Sequence, residues 1–199
     1  VEQYYADFVR SGALLTEAQK VRIQQINGEL ASLQDNFSQN VLKEVNASAL
    51  VVDTKEELAG LSDDAITAAA EEAKNRNLAG KYVLTLQNTS TQPALAALTN
   101  RGTREKLLKA SLERGSHGGE FDNSKVLTTV AKLRAERANI LGFPHFAASS
   151  LENQTAKTAE AVNERLAGIA PAAVTNAKKE AAELQAMIKA EGGDFELAA

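Results

Sequence analysis

The residues best suited to chemistry are the two histidines, His117 and His145, because the 199-residue chain has no cysteine. A histidine can bind a metal or transfer a proton near neutral pH. A zinc site takes three or four His, Cys or carboxylate ligands, often two of them at i and i+4 on one helix. The sequence contains no HExxH motif. It therefore predicts no metal-binding residue, and a site built from one or both histidines with carboxylates is the alternative.

His117 lies in the stretch ERGSHGGE, with Glu113 four residues before it and Glu120 three residues after it. This spacing resembles a ligand cluster. However, three glycines interrupt the helix that would align the three side chains. We therefore predict a mobile surface loop over 115–123, with His117 exposed on it.

His145 lies in RAERANILGFPHFAASS, directly after Pro144. Proline favours the first turn of a helix. The pattern predicts a helix–turn–helix corner, shaped by Gly142 and Pro144, in which His145 is partly buried and hydrogen-bonded. No catalytic partner is visible nearby, so we interpret His145 as structural.

Other catalytic patterns are absent from the sequence. It has no GxSxG motif and no serine beside an activating base, and GSHGGE lacks the spacing of a phosphate-binding loop. Acidic pairs occur at Glu56–Glu57, Asp63–Asp64 and Glu71–Glu72. Such pairs are typical of solvent-facing helices. The sequence thus predicts no catalytic and no cofactor-binding residue.

Charge and hydropathy restrict the partners. The net charge is −4, with 22 basic and 26 acidic residues interleaved along the chain. No basic stripe is available for a phosphate backbone, so we expect no nucleic-acid partner. The longest apolar runs, such as AGIAPAAV at 167–174, are too short to cross a bilayer, so we expect no membrane partner. The lack of cysteine excludes disulfides and does not identify a compartment.

The first long element that the sequence predicts is a helix near the N-terminus. Thr16 and Gln19 form a capping-box pattern. Apolar residues then recur at steps of three and four, at Ile23, Ile26, Leu30, Leu33, Phe37, Val41 and Val45. The stripe predicts a helix of about 30 residues, roughly 45 Å long. Such a helix needs a partner, which favours an antiparallel hairpin or bundle.

Two short β-branched stretches follow, and they predict strands at about 49–53 and 81–86. A second capping box, Thr54 with Glu57, and a helix capped by Ser62 lie between them. Further helices are expected at 93–100, 103–115, 124–142 and about 158–191. The last should kink or break near 168–170, because Pro171 lies inside it. The fold class predicted is mainly α, an elongated bundle of long antiparallel helices with a small two-stranded β element.

The chain opens without methionine, and the residues before Gly12 read as the final turns of a helix. It closes on GGDFELAA without a closing element. We therefore expect a piece of a longer protein.

Four blocks of the sequence carry a resemblance to a known family. They are LRAERANILGFPHFAASSLENQTAKT at 133–158, ELAGLSDDAI at 57–66, KYVLTLQNTSTQPAL at 81–95 and RGTREKLLKA at 101–110. These blocks resemble the thimet oligopeptidase and peptidyl-dipeptidase family of zinc metallopeptidases. The N-terminal stretch from FVRSGALL to SQNVL is similar to the long helix of this family. The blocks are collinear with the family over nearly the whole chain, and they are most similar to bacterial dipeptidyl carboxypeptidases.

The resemblance implies a helical, clam-shaped enzyme whose deep channel admits short peptides. It also implies zinc held by an HExxH helix and a downstream glutamate, none of which this chain contains. Residues 1–199 would then be one non-catalytic segment of the channel wall, with short peptides and the remainder of the same polypeptide as partners. The alternative is a stand-alone helical scaffold or protein-binding module without enzymatic activity.

Overall fold

A computed structural model describes residues 2–87 and 92–197, apart from the side chain of Gln3. Its elements, in chain order, are α1 (Glu2–Arg10), α2 (Glu17–Ala47), β1 (Leu50–Val52), a 3-10 helix (Lys55–Leu58), α3 (Asp63–Asn75), β2 (Tyr82–Leu84), α4 (Ala94–Ala97), α5 (Arg101–Leu112), α6 (Ser124–Ile140), α7 (Phe146–Leu151) and α8 (Ala159–Ala190). The predicted class, mainly α with a small two-stranded sheet, is confirmed. Residues 88–91, which belong to the block at 81–95, lie outside the described residues.

The chain divides into two compact units. One contains Val1–Leu15 with Ala135–Ala199, and the other contains Thr16–Arg134. Helix α6 begins in the second unit and ends in the first.

Helix α2 begins and runs as its sequence predicts. The Gln19 amide N–H donates to the Thr16 hydroxyl, and the Thr16 amide N–H donates to the Gln19 side chain, which completes the capping box. The helix continues for 31 residues. Its apolar stripe buries Ile23 and Ile26, while Val41 near its end is 39 % exposed.

The two predicted strands pair antiparallel, with Leu50 opposite Leu84 and Val52 opposite Tyr82. Both are shorter than the predicted ranges. Six buried side chains form the core beside them, namely Val52, Leu58, Ala69, Leu86, Leu98 and Leu107. The sheet, α3 and α5 therefore share one apolar core in the second unit.

The predicted limits of α5 are wrong by two or three residues at each end. The helix begins at Arg101, because the Asn100 side chain accepts a hydrogen bond from the Thr103 amide N–H at 3.0 Å. It ends at Leu112 rather than at Gly115, whose φ of +68° places it in the turns that follow.

Helix α6 ends at Ile140, two residues before the predicted limit of 142, and Gly142 follows at a φ of +87°, as its stop signal predicts. Gly12 has a φ of +103° after α1, which confirms the predicted stop of that helix.

Of the kink or break expected near Pro171, the break is wrong, because α8 is one continuous helix of 32 residues. Pro171 cannot donate to the carbonyl of Ala167, and an interior proline normally costs a helix that hydrogen bond. All residues of 163–180 are exposed, so water can donate to the carbonyl instead. The Thr175 hydroxyl donates to the Pro171 carbonyl at 2.8 Å.

Candidate functional site

The structure joins His117 to Glu44, a residue that the sequence did not single out. The imidazole Nε2 lies 2.5 Å from Glu44 Oε1, and the side chains are 41 % and 5 % exposed. The predicted surface position of His117 is confirmed, since the residue is exposed, but the sequence did not indicate its contact with Glu44. The histidine links the 115–123 loop to the last turns of α2.

Glu44 is buried, so its charge requires hydrogen-bond donors. Besides His117, the Ser48 hydroxyl donates to Glu44 Oε1 at 2.5 Å, and the Gly115 backbone N–H donates to the same carboxylate. Burial raises the pKa of Glu44, but the hydrogen bonds from Ser48 and His117 outweigh burial and leave that pKa below its usual value. The hydrogen bond to Glu44 raises the pKa of His117.

A second buried contact holds the end of the same loop. Asn123 is 2 % exposed, and its Nδ2 donates to the Phe37 carbonyl at 3.2 Å. Asn40 Nδ2 donates to Asn123 Oδ1 at 3.0 Å, and the Asn123 amide N–H donates to the Gly115 carbonyl at 2.8 Å. We call Glu44, Ser48, His117, Asn123 and Asn40 the loop clamp. It joins α2 to the loop between α5 and α6.

Hydrogen bonds within the loop also stabilise its conformation. Asp122 accepts from the backbone N–H groups of Ser124 and Gly118, both at 2.8 Å, and these bonds lower its pKa. Lys43 Nζ lies 5.7 Å from the centre of the Phe121 ring. Together with the loop clamp, these contacts hold the α5–α6 loop against α2, which is a structural role.

The loop clamp does not fit a zinc ion. A zinc centre needs at least three protein ligands, whereas His117 has one carboxylate beside it, and that carboxylate already accepts from Ser48. Within 2–87 and 92–197, no group of three or more His, Asp or Glu side chains is placed to hold a metal. Glu113 and Glu120 of the suspected cluster are exposed.

His145 caps α7, where its Nδ1 accepts from the Ala148 amide N–H at 3.1 Å. The predicted hydrogen bond and helix–turn–helix corner are therefore confirmed. The predicted partial burial is wrong, because His145 is exposed. A capping side chain needs only to reach the first turn of its own helix, and it can do so from the surface.

Two residues of the acidic pairs, Glu57 and Glu72, have structural contacts. Glu57 accepts from the Thr54 amide N–H at 3.1 Å, as the second capping box predicts. Glu72 accepts from Arg76 Nε at 2.7 Å. Arg76 in turn donates to the Asn46 carbonyl and side chain near the end of α2. The Glu105–Lys109 pair forms at 2.6 Å, as its i,i+4 spacing indicates.

A hollow of about 270 Å³ lies in the first unit, between α1 and the α6–α7 corner. Arg10 at its edge donates to Glu152 and to Asp7. Two carboxylates contact this single cation, so the hollow presents no unpaired positive charge to a ligand.

A profile of peptidase family M3 matches residues 94–199, more than half of the chain. The chain belongs to peptidase family M3. Among its relatives, it is 38 % identical to dipeptidyl carboxypeptidase of Escherichia coli over 195 residues, which cover 98 % of this chain and 29 % of that protein. It is 34 % identical to oligopeptidase A of the same organism, with 99 % of this chain and 29 % of that protein covered.

Saccharolysin of Saccharomyces cerevisiae is 26 % identical, with 94 % of this chain and 25 % of that protein covered. The chain thus spans about three tenths of the length of dipeptidyl carboxypeptidase and oligopeptidase A. No helix in the described ranges is both long enough and apolar enough for a membrane span.

Proposed function

We propose that residues 1–199 form one non-catalytic helical segment of a zinc-dependent peptidase of the peptidyl-dipeptidase or oligopeptidase type. The segment would be part of the wall of a channel that encloses short peptides. One observation carries the proposal: 98 % of the chain aligns with 29 % of a dipeptidyl carboxypeptidase, while its sequence contains two histidines and no HExxH motif.

In this proposal the zinc ligands lie elsewhere in the polypeptide. The contribution of this segment is mechanical: the loop clamp fixes the α5–α6 loop against α2, so that the two move together. Its partners are the remainder of the polypeptide and, within the channel, short unstructured peptides. The dipeptidyl carboxypeptidase and oligopeptidase names of its relatives support this substrate class.

The test compares the purified 199-residue chain with the full-length protein from the same gene. Zinc content after dialysis and hydrolysis of a short unstructured peptide are measured for both. We expect neither stoichiometric zinc nor hydrolysis from the chain, and both from the full-length protein. Tight stoichiometric zinc binding with hydrolysis by the chain alone would overturn the proposal. A gene that encodes no HExxH motif would instead favour the stand-alone scaffold.

A further inference from the structure

Helix α8 has an apolar face that the described residues leave open. The helix is 32 residues long, about 48 Å at 1.5 Å per residue, and buries none of its residues. Helix α2 is nearly as long and buries Ile23 and Ile26. A helix in water gains most of its stability by packing an amphipathic face, so α8 lacks the contact that α2 has.

The exposed apolar side chains of α8 share one side of the helix. Leu166, Ile169, Val174, Leu184 and Met187 are each between 49 % and 57 % exposed. At about 100° per residue they fall within an arc of about 140°. We call this arc the α8 face.

The α8 face carries little charge. Glu180 lies near one edge of it, and its carboxylate accepts from Asn176 Nδ2 at 2.7 Å. Pro171, with the interrupted backbone hydrogen bond, lies well outside the arc by the same angular count. The described C-terminal residues cover only the last turns, where Gln185 bonds to Phe195 and Leu197. The middle of the face, around Ile169 and Val174, stays open.

We propose that the α8 face docks against a helix of the same polypeptide that lies outside these 199 residues. The inference rests on the proposed function. Seven tenths of the dipeptidyl carboxypeptidase relative lie outside the region that aligns with this chain, which is ample length for a partner. An apolar strip of this length is typical of an interface rather than of a free surface. Burying it removes the exposed leucine, isoleucine, valine and methionine side chains from water.

The absence of cysteine from these 199 residues makes a thiol-protection test simple. Ala177→Cys places a thiol on the α8 face, and both Ala177 and its control, Ala186, are exposed alanines of α8. Ala186→Cys lies nine residues later, two and a half turns away, and so on the opposite side. Both changes are small, so folding is retained. The rate of maleimide labelling is measured in the 199-residue chain and in the full-length protein, with unsubstituted full-length protein as the background.

We expect both thiols to react alike in the 199-residue chain. In the full-length protein, the Ala177→Cys thiol should react about 100-fold more slowly, as for a site that must open before it reacts, while the Ala186→Cys thiol is unchanged. Equal labelling rates in the full-length protein would overturn the inference. Concentration-dependent protection in the 199-residue chain would also overturn it, since a second copy would then be the occupant.

The two proposals fail separately. A full-length protein that hydrolyses peptides but labels equally at both positions removes the docking inference and leaves the proposed function. A full-length protein without HExxH and without hydrolysis, but with selective protection at position 177, removes the proposed function and leaves the docking.

Discussion

Glu44 is a carboxylate placed on the apolar stripe of α2. It follows Phe37 by seven residues, about two helical turns, so it lies on the same face as that half-buried ring. Such a group destabilises the fold unless donors surround it, and here Ser48, Gly115 and His117 supply them. A charged residue in phase with an apolar stripe was the sequence signal for this site.

The ion pair predicts pH-dependent stability. His117→Gln should lower the free energy of unfolding most near pH 5.5 to 6.5 and much less near pH 8.5. The folded-state pKa of His117 is raised, so its stabilisation is complete below its usual value of 6.5 and is lost as pH rises through the raised value. The pKa of Glu44 is lowered, so its stabilisation holds above 4.5 and is lost as pH falls through the lowered value. Urea unfolding of both proteins at each pH measures the difference.

The control for this prediction is the same substitution in a Glu44→Gln background. There the imidazolium has lost its main anionic partner, and the effect of His117→Gln should differ much less between the two pH values. A wild-type difference that does not change between pH 6 and pH 8.5 would contradict the assigned ion pair.

Gly60 lies where two backbone segments, around Ala59 and Ala97, approach each other closely. Its φ is +97°, and a Cβ there would lie 2.1 Å from the Ala97 carbonyl oxygen. The Thr99 amide N–H donates to the Ala59 carbonyl at 2.8 Å, which holds the segments together. Gly60→Ala should lower the free energy of unfolding by roughly 3 kcal/mol, since it adds backbone strain and a clash. Chemical denaturation measures the loss.

A second glycine of the same unit provides the matched control. Gly28 lies inside α2, and a Cβ added there would meet no atom within 4 Å. Gly28→Ala should raise the free energy of unfolding by about 1 kcal/mol through helix propensity. Loss of stability from both substitutions would show that the contact at Gly60 is not the cause.

At the scale of elements, local signals predicted the structure well. The cap at Thr16, the two individual strands and the glycine stop at Gly142 all depend on residues a few positions apart, and all are confirmed. The His117–Glu44 contact joins residues 73 positions apart. No local pattern specifies such a pair, so the loop was predicted and its clamp was not.

Helix α8 continues through Pro171, although an interior proline normally interrupts a helix. Pro171→Ala should raise the local stability of α8 by about 3 kcal/mol, because it restores an N–H donor and removes the proline penalty. Amide exchange around 167–172 should slow accordingly. Gly168→Ala changes propensity alone and should add only about 1 kcal/mol. An equal effect of the two substitutions would mean that the hydrogen bond to the Ala167 carbonyl, which Pro171 cannot donate, contributes nothing to the stability of α8.

At the scale of the whole molecule, the sequence suggested the family through collinear blocks, and the profile match shows that family. The motifs expected to carry catalysis are absent from these 199 residues. In the proposed function, the clamped α5–α6 loop and the open α8 face belong to a segment that supports and encloses. Its effect on function should therefore appear as a limit on which substrates reach the catalytic residues.

The proposed enclosure of substrates predicts that the full-length protein selects substrates by their conformation. The full-length protein should cleave a short linear peptide and should cleave the same sequence at least about 10³-fold more slowly inside a small folded host, since a domain stable by about 5 kcal/mol is rarely unfolded. Peptide release is measured by mass spectrometry.

Destabilising the host by a core substitution should restore cleavage in proportion to its unfolded fraction. A protease with an open cleft, assayed on an exposed loop of the host, checks that the host is intact and cleavable. Equal rates on the linear and the folded substrate would contradict an enclosing channel.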